Sequence, residues 1–262
     1  MCQHARVYLA PDPAPDDVLA PMPGVAWLAD VERDPVGAME SFLLGWYPAP
    51  DPADDDGCWE TGGGEPAEAD AFAPGALPRA LAALYRVARL RPAVHGFHDP
   101  LAGRPQRAAG PLGDRLVFAG TDEGTWDWSV PWPPEAAGGA DPPVWLTFSP
   151  HRPDPEVVVE HEPLSRFLLQ YVLFEAQHAA PYQAWTRVMP TTRLAPLRDV
   201  LRPLPLSPFL PMFTAERLFV APGLLVQISA DDEEAVFSAG TLHREALAPL
   251  GELPFPWTRF DG

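Results

Sequence analysis

The stretch "LVFAGTDEGTWDWSV", residues 116–130, decides the reading of the fold. Two short runs of strand-forming residues flank "TDEG", an acidic turn that closes on glycine. This predicts a β-hairpin with strands over 115–120 and 125–130. Side chains alternate across a strand, so Trp126, Trp128 and Val130 share one face, and Thr125, Asp127 and Ser129 share the other. One face is apolar and one polar, as in a half-buried strand. The two tryptophans read first as core lining. Their competing role is a concave face that holds a partner, because aromatic residues are enriched where proteins bind one another. Asp122 and Glu123, with Thr121, form the solvent-exposed tip.

Working outward, "PPVWLTFS" (142–149) and "EVVVEH" (156–161) extend the hairpin into a meander, since sequential strands usually pair. Glu162-Pro163 then opens the longest helix, "PLSRFLLQYVLFEAQHA". Phe167, Leu168, Leu169, Tyr171, Val172, Leu173 and Phe174 make it apolar on most sides, which predicts a central, buried helix. Upstream, Asp34 caps and Pro35 starts a helix that ends at Pro48. A second begins at Pro78, with an apolar stripe of Leu77, Leu81, Leu84, Tyr85 and Ala88 opposite Arg79, Arg86 and Arg89. Downstream come a Pro/Arg/Leu-rich linker (187–215), strands in "RLFVA", "LLVQISA" and "AVFSAG", a helix "TLHREALAPL" capped by Thr241, and a final strand "WTRF". The expected class is α+β: a mostly antiparallel sheet, N-terminal helices, and a central buried helix packed on the sheet. The expected organisation is a weakly structured arm over 1–35 and a single domain over 36–262, with an acidic flexible loop at about 51–76.

Charge narrows the partners. The chain of 262 residues carries 18 arginines, no lysine and 36 acids, a net charge of −18. Residues 1–75 alone hold 15 acids against 2 arginines. Such a chain repels nucleic acid and anionic membranes and attracts basic proteins. Cys2 and Cys58 are too few for a disulfide framework and fit reduced thiols in a cytoplasm. The N-terminus lacks a basic segment followed by an apolar run, so no signal peptide is expected. No apolar stretch reaches 18 residues, so no membrane span is expected.

Chemistry-bearing motifs are sparse. A P-loop, G-x-G-x-x-G after a strand, G-x-S-x-G and H-E-x-x-H are all absent. "HGFHDP" (95–100) offers His95, His98 and Asp99. Histidines three apart can share a metal on a helix, but Gly96 and Pro100 argue for a turn, so no metal site is assigned. Gln170 and Glu175 interrupt the buried helix and read as hydrogen-bonded residues of its core or edge. No cofactor and no catalytic residue is assigned.

Taken in order, "SFLLGWYPAP" (41–50), "LPRALAALYRVA" (77–88), "GDRLVFAGTDEGTWDWSV" (113–130), "DPPVW" (141–145) and "PLSRFLLQYVLFEAQHAAPY" (163–182) resemble the actinobacterial branch of the SMI1/KNR4 (SUKH) superfamily. The resemblance covers residues 36–262. It implies an α+β fold and a protein-binding module rather than an enzyme. Bacterial members resemble immunity proteins that neutralise toxins, often nucleases, and the acidity here suits a basic toxin. A regulatory or scaffold module with a cellular partner is the alternative. Relatives carry Glu-Asn-Gln at the hairpin tip where this chain has Thr121-Asp122-Glu123, which implies a different partner. The acidic segment at 51–70 is also longer than in relatives. The expected partner face is Asp122, Glu123, Trp126, Asp127, Trp128 and Trp132.

Overall fold

A computed structural model describes residues 21–49, 77–96, 98–121, 123–133, 141–209 and 216–262. Cys2, Cys58 and the acidic segment at 51–76 lie outside the described residues. The fold is α+β, with two antiparallel sheets and helices packed on them.

Helix α1 (Pro35–Trp46) starts as its sequence dictates: the Asp34 side chain accepts the Gly37 N–H at 3.2 Å, and Pro35 fills the first turn. Helix α2 (Arg79–Leu90) buries Leu81, Leu84, Tyr85 and Ala88 of the predicted stripe, and Leu77 packs partly buried just before it. The meander then runs through β1 (Leu101–Gly110), β2 (Gly113–Gly120), β3 (Trp126–Pro131), β4 (Pro143–Phe148) and β5 (Glu156–Pro163), paired in that order. The hairpin register sets Leu116 opposite Val130 and Ala119 opposite Trp128, with a bulge between Val117 and Ala119. That register turns Leu116, Phe118, Trp128, Val130 and Leu146 into the core.

Helix α3 (Leu164–His178) is buried along nearly its whole length because α1, α2 and both sheets pack on it. One side meets β4 and β5. The other meets the second sheet, which comprises β6 (Tyr182–Thr186), β7 (Met189–Pro190), β8 (Arg202–Pro203), β9 (Arg217–Ala221), β10 (Leu224–Ala230), β11 (Glu234–Thr241) and β12 (Trp257–Phe260). Its order is β12-β6-β11-β10-β9-β8, with β7 also paired to β11. The approach of α3 to β11 is close enough to demand glycine. A Cβ on Gly240 would overlap the Gln177 carbonyl oxygen. The far face of the second sheet packs a separate core around Val226, Ile228, Phe237 and Leu250.

Four expectations need correction. The sheet is two sheets, one on each side of α3. Strand β1 was not foreseen: "LAGRPQRAAG" lacks β-branched residues, and Pro105 is tolerated because β1 lies at a sheet edge. The described part of the expected arm is not weakly structured: a 3-10 turn (Ala26–Asp30) brings Trp27 and Val31 into the core. The helix expected at "TLHREALAPL" shrinks to a 3-10 turn (Arg244–Leu247) and one α-turn, α4 (Ala248–Gly251). Thr241 belongs to β11, and its hydroxyl accepts the His243 N–H instead of capping a helix.

Candidate functional site

The residues expected to form one partner face are distributed over different environments. Asp122 lies outside the described residues. Glu123 is exposed at the tip. Trp126 is half-buried, edge-on to Phe148 with ring centroids 6.3 Å apart. Trp128 has no exposed surface: its ring packs among Phe167, Tyr171 and Phe209, and its Nε1–H donates to Glu160 Oε1 at 2.9 Å. It is a core residue and has nothing to offer a partner. Trp132 stands at the opposite end of β3 from Glu123, and nine residues of extended chain reach up to about 30 Å. There the Arg107 guanidinium lies 4.6 Å from its ring centroid. The structure therefore does not bring Glu123 and Trp132 together.

Asp127 is engaged on the outer face of the meander. Its carboxylate takes both terminal nitrogens of Arg115, the second at 3.1 Å. Arg115 Nη1 also donates to Thr147 Oγ1 at 3.1 Å and to Ser129 Oγ at 3.3 Å, so one guanidinium ties β2, β3 and β4. Both partners are mostly buried. This acid is already neutralised by a bidentate pair and cannot act as a free charge on a rim.

A second polar cluster forms where the sequence suggested only a turn. A cavity of about 300 Å³ opens between the sheets at the C-terminal end of α3. Trp126, Phe174, Val236 and the polar side chains of Gln227 and Ser229 line it, together with His98, Asp99, His178 and Glu216. The alternation of β10 explains the strand contribution. Leu225, Gln227 and Ser229 face α3 and the cavity, while Val226 and Ile228 face the other core.

The turn from Gly96 to Asp99 closes onto Glu175. The Glu175 carboxylate accepts the His98 N–H on Oε2 and the Asp99 N–H on Oε1, each at 2.9 Å. Gly96 has φ +85, and a Cβ there would meet Glu175 Oε2 at 2.6 Å, so the residue is glycine on both counts. Tyr171 donates its hydroxyl to the Asp99 carbonyl at 2.7 Å. His98 Nδ1–H donates to Asp99 Oδ2 at 3.1 Å. Asp99 is fully buried, and its Oδ1 has no hydrogen-bond partner among the described residues.

Electrostatics follow from these contacts. The hydrogen bond to Asp99 pushes the His98 pKa up, against burial, with the charges of Asp99 and Glu175 adding to the rise. Burial pushes His178 down; the hydrogen bond from its Nδ1–H to the Phe174 carbonyl, at 2.9 Å, opposes that. Across the cavity, burial raises Glu216, opposed by a 2.7 Å hydrogen bond from Gln227. Burial and the nearby carboxylates push Tyr171 well above the usual phenol value. His98, Asp99 and Glu175 present ligand atoms that all lie within 4.8 Å of one another.

Half of this cluster was visible in the sequence, as the His98-Asp99 pair and as the carboxylate that interrupts α3. What joins them is a tertiary contact spanning 76 positions between Asp99 and Glu175. A larger cavity of about 810 Å³ on the far face of the second sheet is lined by Leu197, Leu201, Phe219 and Ile228. Its charged residues, Arg198, Arg217, Asp231 and Asp232, are all exposed, so it holds no preorganised polar group. The chain matches no family model, no curated protein and no solved structure.

Proposed function

We propose that the chain is a non-enzymatic protein-binding module of the SMI1/KNR4 (SUKH) kind, an immunity-type protein that neutralises a basic toxin in the cytoplasm by occluding it. The observation that carries the reading is the order of elements between Pro35 and His178: two helices, an antiparallel meander and a buried helix packed on it. That is the arrangement the sequence resemblance implies. The net charge of −18 supports a basic partner, because complementary charge speeds encounter and suppresses wrong partners. Glu123 at the exposed tip and Trp126 at the cavity wall leave the hairpin's tip end as the docking face. An aromatic beside a recess is the kind of anchor on which interface energy concentrates. No helix among the described residues is long and apolar enough to cross a membrane.

The test is to immobilise the full chain, capture what binds from the source lysate, and titrate the captured protein's own activity against the free chain. Stoichiometric inhibition of a toxic activity supports the proposal. A captured protein whose activity is untouched by saturating chain overturns occlusion and points to a scaffold or regulatory module.

A further inference from the structure

We propose that His98, Asp99 and Glu175 form a binding site for a divalent first-row transition-metal ion, set in the wall of the cavity at the C-terminal end of α3. This goes beyond the protein-binding reading and stands independently of it.

The donors fit such an ion in kind and in spacing. One imidazole and two carboxylates make a mixed nitrogen–oxygen set of the sort that Zn²⁺ and Mn²⁺ take. His98 Nδ1 and Asp99 Oδ2 are 3.1 Å apart. Two donors at that separation subtend close to a right angle at an ion bonded to each at about 2.0–2.2 Å. The ion would replace the proton that the two atoms now share. Glu175 brings its carboxylate into the same 4.8 Å envelope. Each of its oxygens accepts one backbone N–H. Those two hydrogen bonds fix the carboxylate's orientation, as outer-shell bonds do for metal-binding carboxylates.

A second observation, apart from the spacing of the donors, points to a ligand. Asp99 Oδ1 is buried in the cavity wall and has no hydrogen-bond partner among the described residues. An unanswered carboxylate oxygen in a buried position is costly, and a bound cation removes that cost. The surroundings have the right sign. Glu175 and His178 lie in the last turn of α3, where the helix's partial negative charge favours cations, and among the described residues no arginine lines the cavity. His178 stands beside the cluster, its ring centroid 4.9 Å from that of His98. With Nδ1–H held by the Phe174 carbonyl, its Nε2 carries the lone pair. Access is through His98, whose side chain is about half exposed at 48%.

The experiment titrates metal-free, full-length chain with ZnCl2 by calorimetry under reducing conditions. Melting temperatures are recorded with excess ZnCl2 and with chelator. The variants are His98→Ala and Asp99→Asn. The expected result is one saturable site in the wild type, a melting temperature raised by zinc, and binding weaker by about 10-fold or more in each variant, with the rise abolished. Since His98 is half exposed, His98→Ala keeps the fold and decides the matter if Asp99→Asn does not fold. Absence of binding to the wild type overturns the proposal. So does unchanged affinity and an unchanged zinc-induced rise in His98→Ala, which would place the ion elsewhere, at Cys2, Cys58 or the acidic segment.

Discussion

Asp127 and Asp99 are two buried aspartates that the fold answers in opposite ways. Asp127 lies on the outer face of the meander and receives a guanidinium held by two further strands. Asp99 lies between the sheets, and its ion-pair partner among the described residues is a half-exposed histidine. The first arrangement closes a surface: charge meets charge, the oxygens are occupied, and nothing remains to recognise. The second leaves a buried carboxylate oxygen without a hydrogen-bond partner among the described residues, in a residue that lines a cavity. A buried acid with an arginine on it is structural; one with only a titratable partner and a recess beside it has been left available, at a cost in stability.

The largest effect expected from this contrast is at Arg115. Arg115→Ala strands Asp127 without its partner and should destabilise by about 3–5 kcal/mol in denaturant unfolding. The double replacement Arg115→Met with Asp127→Leu should recover most of that loss, because an apolar pair needs no compensation. If the single variant loses less than about 1 kcal/mol, the pair is not a buried structural unit and the contrast with Asp99 fails.

A smaller effect is expected on the other side of the comparison. Gly96→Ala places a methyl 2.6 Å from Glu175 Oε2 at a backbone φ of +85, and should cost about 1–3 kcal/mol by the same measurement. It should also weaken zinc binding, since the turn that carries His98 and Asp99 must move. Unfolding energies equal to wild type would mean that Glu175 does not clamp the turn.

How much of this contrast the chain displayed in advance depends on the range of the interaction. Asp34-Pro35 and the alternation of Trp126, Asp127 and Trp128 are local, and they gave α1 and β3 close to their observed limits. The apolar surround of α3 revealed that something covers it on all sides, although not that the cover is two sheets together with α1 and α2. Strand β1 was unreadable because its residues have no strand preference; pairing with β2 makes it a strand. The neutralisation of Asp127 and the burial of Trp128 both depend on partners from other strands, so neither residue contributes to the acidic and aromatic face that the sequence suggested. The same holds for Asp99, Tyr171 and Glu175, whose meeting no local pattern encodes.

A third carboxylate sharpens the comparison through pH. Glu162 accepts the Ser207 N–H on one oxygen and Arg166 Nε on the other, each at 2.6 Å. Burial alone would raise its pKa, but these hydrogen bonds and the arginine's charge prevail and hold it below the ordinary value of 4.5. A carboxylate whose folded-state pKa lies below the unfolded one adds stability above the unfolded value. That contribution fades as pH falls through the folded value. Stability should therefore decline below about pH 4.5, and Glu162→Gln should make the decline shallower while costing about 1–2 kcal/mol at neutral pH. Asp231 and Asp261 are also held low, so some slope should survive. Identical slopes in variant and wild type would remove Glu162 from the group of acids that the fold compensates.

The smallest effect on stability belongs to the acid that the fold does not enclose. Glu123 is exposed at the hairpin tip, so Glu123→Arg should change unfolding energy by less than about 0.5 kcal/mol. Its consequence should be kinetic. An exposed charge at a docking face acts chiefly on the encounter rate, whereas a buried pair acts on what happens after contact. Reversing Glu123 together with Asp122 should slow association with a basic partner and flatten its dependence on ionic strength, because fewer complementary charges remain to be screened. The measurement is the association rate against salt for wild type and the double reversal, using the partner captured by the full chain. The Asp127–Arg115 pair, neutral as a unit, should make no such difference: Arg115→Met with Asp127→Leu should leave the salt slope unchanged even where it lowers stability. If that double replacement alters the slope and the tip reversal does not, the docking face is the outer surface of the meander rather than its tip, and the Arg115 network belongs to recognition as well as to the fold.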